Sequence, residues 1–431
     1  MAYQANEERS VAVGEMKLVE LTEAQFEEFA QHYGRRFQTQ TIPYVRARRA
    51  CGAHVDVVGL VDASGQIRAA SVVTYRRWRK FFRGASLPYG PLAPWNEPDV
   101  VREFFLQLRQ YLRRQGNVLE LIVNPLIAKC HYADIERISE EVTPEAQHFQ
   151  AVMDQLGAQR ETAEYYDDPA VPIRFIYSKD ISGMDYEAAV ASLAKGIRRR
   201  FRREGQYGIE VRFLDAAAWP IFQQLLGGTI ERTGMSAYTE DMHTFYPQLM
   251  REMGPESSMI AVAFLRPQVY LEQIAQLMDE LAAKREQIMA RPSSAKNERL
   301  LGELDKQWDS LVGQQTEAQE VLAEHGAEIP IACSVTFIVD REVIQMLGAM
   351  DKRFFKFTRD YPIEQAILKY SCEREMDIYN TFGVSGIWDD SAPDAPVIAF
   401  KRSLRGYVEE FVGTYYLPVR PLMSRMVGGA H

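Results

Sequence analysis

The sequence predicts a mixed α/β (α+β) protein built from two units of similar layout, with a helical hairpin inserted into the second. Three observations lead there. Short apolar strands alternate with amphipathic helices over residues 18–170, and the same alternation returns over 175–264 and 329–420. The stretch between those last two has a different composition and a different period. The boundaries follow: 1–170 for the first unit, 171–264 with 329–431 for the second, and 265–328 for the inserted arm.

In the first unit, Glu20–Tyr33 has helical spacing that places Phe26, Phe29 and Tyr33 on one face. His54–Val61 and Ile67–Tyr75 alternate like paired strands about a DASG turn. Val101, Phe104, Phe105, Leu108 and Leu112 mark a helix over Val100–Arg114, and VLELIVNP (Val118–Pro125) is a short apolar strand stopped by proline. The second unit offers a basic helix near 188–204, a strand at Ile209–Phe213, a helix near 216–233 and a strand at Met259–Phe264. After the arm come a strand within IACSVTFIV, a helix over Ile363–Arg374, the segment YNTFGVSG and a terminal strand pair.

The arm, Pro267–His325, is rich in Glu, Gln, Lys, Leu and Ala and nearly free of glycine. Leu271, Ile274, Leu277 or Met278, Leu281 and Ile288 fall at three- and four-residue steps. After ARPSSAKN the spacing resumes at Leu301, Leu304, Trp308, Leu311, Ala318 and Val321 or Leu322. Pro292 and two serines supply the turn, so this segment reads as an antiparallel coiled coil.

Composition narrows the function. With 46% hydrophobic and 25% charged residues over 431 positions, the chain is an ordinary globular protein of two to three domains. A net charge of −9 excludes general polyelectrolyte affinity, so any nucleic-acid contact must use a local basic patch. Cys51, Cys130, Cys333 and Cys372 are dispersed, and the histidines form no H-x-x-x-H pair, which supports neither a metal site nor a disulfide framework. The opening residues MAYQANEERSVAVGEM lack the apolar core of a signal peptide, and no stretch approaches the ~18 apolar residues of a membrane span. A cytoplasmic protein, touching a membrane only at its surface, is the expectation.

Four segments stand out for chemistry. LAKGIRRRFRREG concentrates Lys195, Arg198, Arg199, Arg200, Arg202 and Arg203, and guanidinium forks suit phosphate oxygens. A solvated helix face with acidic neighbours is the competing account. FRGASLPYGPLAPW (Phe82–Trp95) is a Gly- and Pro-rich loop in which Tyr89 and Trp95 either line a cleft or serve the loop itself. YNTFGVSG (Tyr379–Gly386) sets aromatics beside two glycines, offering either close backbone approach to a ligand and amides for an oxyanion, or a plain strand end. Phe400-Lys401-Arg402 closes the apolar run VIAF, putting a lysine at a strand end where it either stabilises developing charge or aids solubility. No G-x-S-x-G elbow, P-loop or G-x-G-x-x-G occurs.

In order along the chain, LPYGPL (Leu87–Leu92), the K-x-x-R-R-x-x-R helix leading to a G-I-E-V strand, YNTFGVSG, and FKRSLRGYVEEFVGTYYLPVRPL (Phe400–Leu422) resemble the Fem family of peptidoglycan-bridge aminoacyltransferases. The likeness spans nearly the whole chain, and the inserted hairpin resembles the arm of FemA-type members. The resemblance implies two GNAT-like domains and transfer of an amino acid from aminoacyl-tRNA to a stem-peptide amine of a lipid- or nucleotide-linked precursor. It implies neither metal nor coenzyme A. Position by position, it implies Lys401 and Phe400 near the tRNA acceptor end and the transition state, and Arg46 at the precursor's diphosphate. It further implies Tyr379 and Gly383 on the cleft strand, and Tyr246 in the cleft. Lys195, Arg198, Arg199 and Arg202 fall to the tRNA phosphates. Two positions depart from the pattern. Asn124 stands where some members carry a carboxylate, and an amide cannot take a proton at neutral pH. Near Tyr238 the arginine of some members is absent, which weakens a second phosphate contact. Contact with the inner membrane surface and pairing with a second copy or a paralogue are further expectations.

Two other classes stay open. A coenzyme A-dependent acyltransferase on the same fold would want a Q/R-x-x-G-x-G/A loop, and RREGQYG fails that spacing. A non-enzymatic adaptor could use the coiled coil alone, but that leaves the cleft loops unexplained.

Overall fold

A computed structural model describes residues 16–423 except 79–80, 138–141, 165–170, 202, 204 and 234–239, with backbone alone for 228–233 and 240–241. The described residues begin with β1 (Lys17–Glu20), α1 (Glu23–Gln31), α2 (Ile42–Ala50), β2 (Val55–Val61), β3 (Ile67–Trp78) and β4 (Phe82–Tyr89). Then come α3 (Pro98–Arg114), β5 (Val118–Pro125), β6 (Ala128–Ala133), β7 (Glu136–Arg137), α4 (Pro144–Leu156) and β8 (Gln159–Arg160). The next stretch holds β9 (Phe175–Asp180), α5 (Tyr186–Ser192), α6 (Lys195–Phe201), β10 (Ile209–Leu214), α7 (Trp219–Thr233), α8 (Glu240–Met253) and β11 (Ser258–Leu265). The arm is α9 (Pro267–Met289) and α10 (Ala295–His325), followed by β12 (Ile329–Val339), β13 (Glu342–Met350) and α11 (Pro362–Glu373). Last are β14 (Ile378–Val384), α12 (Ala395–Ser403), β15 (Tyr407–Phe411) and β16 (Tyr415–Pro418).

Two sheets organise these elements, one ordered β1-β2-β3-β4-β5-β16-β8 and the other β10-β11-β12-β13-β14-β9-β15-β6-β7. Each contains a parallel pair, β4 with β5 and β13 with β14. A parallel neighbour needs a crossover, and a helix supplies it both times: α3 in the first sheet, α11 in the second. The plan of antiparallel strands, crossover helix and parallel strand is therefore repeated.

The sheets do not divide the chain at residue 170. β6 and β7 belong to the second sheet, while β16 lies in the first, between β5 and β8. The expected terminal strand pair is accordingly not a pair: β15 lies against β6 and β9, and β16 against β5 and β8. The single basic helix expected near 188–204 is likewise two short helices, because the chain turns extended at the buried Leu193.

The strongest local pattern is that of α3, which buries Val100, Val101, Phe104, Phe105, Leu108 and Leu112 against Val73, Ala85, Leu87, Leu121 and Val123. Full burial of side chains this size stabilises by roughly 1.5–3 kcal/mol each. In the arm, Ile274, Leu281, Leu311 and Ala318 are buried, with Leu271, Met278, Leu304 and Val321 packed beside them. Of the alternatives Leu277 and Met278, Met278 enters the seam and Leu277 is exposed; Trp308, expected in the seam, is exposed as well. Ser294 caps α10 by accepting from the Asn297 amide at 3.2 Å. At 1.5 Å per residue α9 runs ~35 Å, and it springs from the Leu265 and Ile329 ends of adjacent strands.

Candidate active site

The first five residues of YNTFGVSG are committed within the fold. Buried Tyr379 donates through its hydroxyl to Gln345 Oε1 at 3.0 Å. Asn380 donates from Nδ2 to Glu342 Oε1 at 2.6 Å and accepts from the Phe382 amide at 2.7 Å. Thr381 donates to the Tyr177 carbonyl at 2.9 Å. Together these bonds hold a register break between Asn380 and Gly383, where Phe382 adopts a φ of 63°. Glycine follows for a steric reason, since a Cβ on Gly383 would lie 2.5 Å from Ile173 Cδ1. The amides expected to receive an oxyanion are engaged too: Phe382 with Asn380, and Ser385 with Asp394 Oδ2 at 2.9 Å.

Lys401 is not at a strand end. Pro396, in the first turn, starts α12 and carries VIAF into a helix, and Lys401 lies in its last turn, 6% exposed. Its Nζ donates to the Phe382 carbonyl at 3.0 Å and the Gly383 carbonyl at 2.7 Å. Burial pulls the ammonium down to about 7, with Asp394 acting the other way. A neutral amine has two N–H groups, which these two carbonyls would take up, leaving its lone pair; the protonated form keeps a third donor. Next in the chain, Phe400 stacks on Tyr361 with centroids 4.5 Å apart, and the Arg200 guanidinium lies 5.4 Å from the Tyr361 ring. The β13–β14 ladder ends at Ile344 and Asn380. Just beyond, Gln345 hydrogen-bonds Glu364, whose carboxyl is pushed up to about 7 by burial.

From the first sheet, Asn124 and Tyr89 line a narrow crevice with Pro125, Ile173, Gly413 and Thr414. Of LPYGPL, Tyr89 reaches this wall from the end of β4, and the Gly90-Pro91 peptide that follows is cis. Buried Gln40 donates to the Pro88 carbonyl at 2.9 Å, fixing the turn from behind. Phe37 joins the two sheets here, its ring 4.9 Å from Tyr89 and 6.4 Å from Phe382. Ile173 belongs to both sides, lining the crevice and packing on Gly383. The structure thus brings Asn124, Tyr89, Gly383 and Lys401 into one neighbourhood.

Other expected residues lie elsewhere. Trp95 packs edge-on against Phe149 at 5.7 Å, half-buried against the core under α3. Tyr246 is a core residue, 8% exposed and stacked 5.8 Å from Trp219. Its helical position on α8 turns it inward, against α7 and β12. Arg46 borders a separate cleft of about 470 Å³ shared with Glu23, Glu27, Arg36 and Asp340. There Arg46 pairs with Glu23 at 2.8 Å, and Arg36 with Glu27 at 3.2 Å and Asp340 at 3.3 Å. Acids outnumber guanidiniums along this lining, which is the wrong balance for a diphosphate. Tyr238 and Arg202 lie outside the described residues.

On α6, Ile197 and Phe201 are buried while Lys195 and Arg199 are exposed, with Arg198 partly so. This surface continues onto the 3-10 segment Lys352–Thr358, joined by Arg200 Nη1 donating to the Arg359 carbonyl at 3.2 Å. Phe354 and Phe357 anchor that segment inward, and Phe355 between them is 57% exposed beside Lys352 and Arg353.

Two ionic features had no signal in the sequence. Arg35 reaches Glu342 at 2.6 Å and Glu409 at 2.8 Å, a pairing across more than three hundred residues. Glu120 faces the same side of β5 as Asn124 and is 6% exposed; burial raises its carboxyl to about 7 although Arg76 opposes the shift.

Residues 21–431 match the FemAB family. The chain is 24% identical over 412 residues to the aminoacyltransferase FemA of Staphylococcus aureus, covering 94% of this chain and 96% of that one. Against the Staphylococcus epidermidis aminoacyltransferase FemA it is 25% identical over 414 residues, covering 95% and 97%. Its fold is similar to the crystal structure of FemX, with a TM-score of 0.75 at 12% identity over 95% of this chain and 99% of that one. It is also similar to a tandem GNAT protein from the clavulanic acid biosynthesis pathway, with a TM-score of 0.52 at 11% identity over 94% and 99%. Two GNAT-like units, an inserted arm and a match running from α1 to the last strand lead to one conclusion: the chain belongs to the FemAB family.

Proposed function

We propose that this chain is an aminoacyltransferase that moves an amino acid from aminoacyl-tRNA onto a stem-peptide amine of a peptidoglycan precursor, building the interpeptide bridge. The observation that carries this reading is the family match over residues 21–431. In the reaction the amine attacks the ester carbonyl; a C–N bond forms, the ester C–O bond breaks, the amine loses a proton and the ribose oxygen gains one. The acceptor itself is the nucleophile, so the protein positions two anionic substrates and manages charge.

Lys401 is the group we assign to that charge. With its pKa near 7, it offers a lone pair or a third N–H at neutral pH, while its other two hydrogens fix the Phe382 and Gly383 carbonyls. Phe400 and Tyr361 offer an aromatic pair for the tRNA end, and Asn124 with Tyr89 lines the acceptor side across Ile173. Lys195, Arg198 and Arg199 on α6, extended by Lys352, Arg353 and Phe355, supply cations and a ring for the tRNA strand. The reaction belongs in the cytoplasm, where aminoacyl-tRNA is found.

The test is a transfer assay with lipid-linked precursor and tRNA charged separately with radiolabelled glycine, alanine or serine. Label on the precursor from one donor supports the reading and names the amino acid. Acetyl-CoA turnover with no transfer from any tRNA would overturn it.

A further inference from the structure

The β3–β4 hairpin carries the run RRWRKFFR at residues 76–83, in which every position is cationic or aromatic and none is acidic. Neither the crevice nor the α6 surface uses it. Its two strands stay paired as far as Arg77 opposite Arg83 and Trp78 opposite Phe82. Phe81 at the turn is 72% exposed, more than any other described phenylalanine or tryptophan. Arg76 and Arg77 are exposed as well.

We infer that this hairpin tip is a membrane-surface anchor, placing Trp78, Phe81 and Phe82 in the interface of an anionic phospholipid bilayer while the flanking arginines meet its headgroups. The inference rests on the proposed function in one respect, that a lipid-linked acceptor is presented at a bilayer.

Three features favour a bilayer. Aromatic rings with a cationic surround are the side chains that settle at the lipid–water interface. In a chain of net charge −9, only a local basic run can approach an anionic surface, and this run puts five cations into eight positions. The position also suits the chemistry. β4 runs from Phe82 at the tip to Tyr89 at the crevice, a span of ~23 Å at 3.3 Å per residue. A diphosphate held at the bilayer would thus lie at one end of the sheet while its peptide reached toward the other. Arg76, Gly84 and Glu120 line up across β3, β4 and β5 on the face between them.

Full-length protein is sedimented with vesicles of phosphatidylcholine alone and of phosphatidylcholine with phosphatidylglycerol, then compared with the Phe81→Ser/Arg77→Glu variant. Wild type should partition onto the anionic vesicles and not the neutral ones, with the variant weaker by about tenfold or more. Transfer to lipid-linked precursor in those vesicles should fall in step, and transfer to soluble nucleotide-linked precursor should not change. Equal partitioning of variant and wild type would overturn the anchor, as would loss of tRNA affinity in the variant with vesicle binding intact. A wild type that binds anionic vesicles but transfers to neither acceptor would sink the proposed function and leave the anchor standing.

Discussion

The Nζ of Lys401 lies 2.7 Å from the carbonyl oxygen of Gly383, so the helix that bears the lysine clasps the irregular strand bordering the crevice. A lysine so placed has two jobs that mutation can separate. Lys401→Ala is expected to lower kcat by two orders of magnitude or more while raising KM for the precursor only slightly. A rise in KM with kcat unchanged would reduce the residue to ground-state binding.

The same burial has a thermodynamic signature. Folding lowers the ammonium from 10.5 to about 7, so between those values the unfolded chain binds more protons than the folded one. Stability from this group therefore rises with pH across that window, and its penalty is fully present below about 7. Lys401→Met removes the penalty. Denaturant melts should show the variant gaining on wild type by a few kcal/mol at neutral pH and losing that advantage toward pH ~10. A difference that does not vary with pH would contradict the assigned shift.

Glu120 has the opposite slope. Its carboxyl rises from 4.5 to about 7 on folding, so destabilisation develops across that interval and is complete above it. Glu120→Gln should stabilise the protein by about 1–2 kcal/mol above neutrality, after allowance for solvent screening, and by nothing near pH ~4. Thermal melts at the two pH values would decide it.

At Gly383 the argument is steric. Gly383→Ala would press a methyl to 2.5 Å from Ile173 Cδ1, at an expected cost of about 1–3 kcal/mol with reduced turnover. Adding Ile173→Ala should recover part of both losses. A double mutant as impaired as the sum of the single ones would show that the two residues do not couple.

Phe355→Ala tests the tRNA surface. The ring is exposed, so its removal should leave the melting temperature unchanged. KM for aminoacyl-tRNA should rise roughly tenfold, the loss of one stacked base, with KM for the precursor unaffected. Replacing Arg199 with Glu should instead flatten the salt dependence of tRNA binding, by about one unit of log–log slope per lost phosphate contact.

Features governed by local pattern were legible in the sequence. The α3 stripe, the arm seam and the buried strand VLELIVNP each announce themselves within a dozen or so residues. The site was legible mainly by resemblance, because its geometry depends on contacts that sequence spacing does not encode. Val397 and Ile398 favour a strand, yet Pro396 begins a helix there and tertiary packing of Lys401 completes it. The family resemblance put Tyr246 in the cleft, but the helix turns it onto Trp219. Arg35 finds its acids only once the second sheet has brought Glu342 and Glu409, on β13 and β15, together.

The exchange of strands between the sheets also bears on how the chain is made. β16, some three hundred residues after β5 in the sequence, sits inside the first sheet between β5 and β8. An emerging polypeptide can gather β1 to β5 early, but that sheet stays open beside β5 until residues 415–418 have cleared the ribosome. Folding during translation therefore cannot run to completion from the N-terminus; the two halves must close together, and a stop codon shortly before Tyr415 should leave both unfinished.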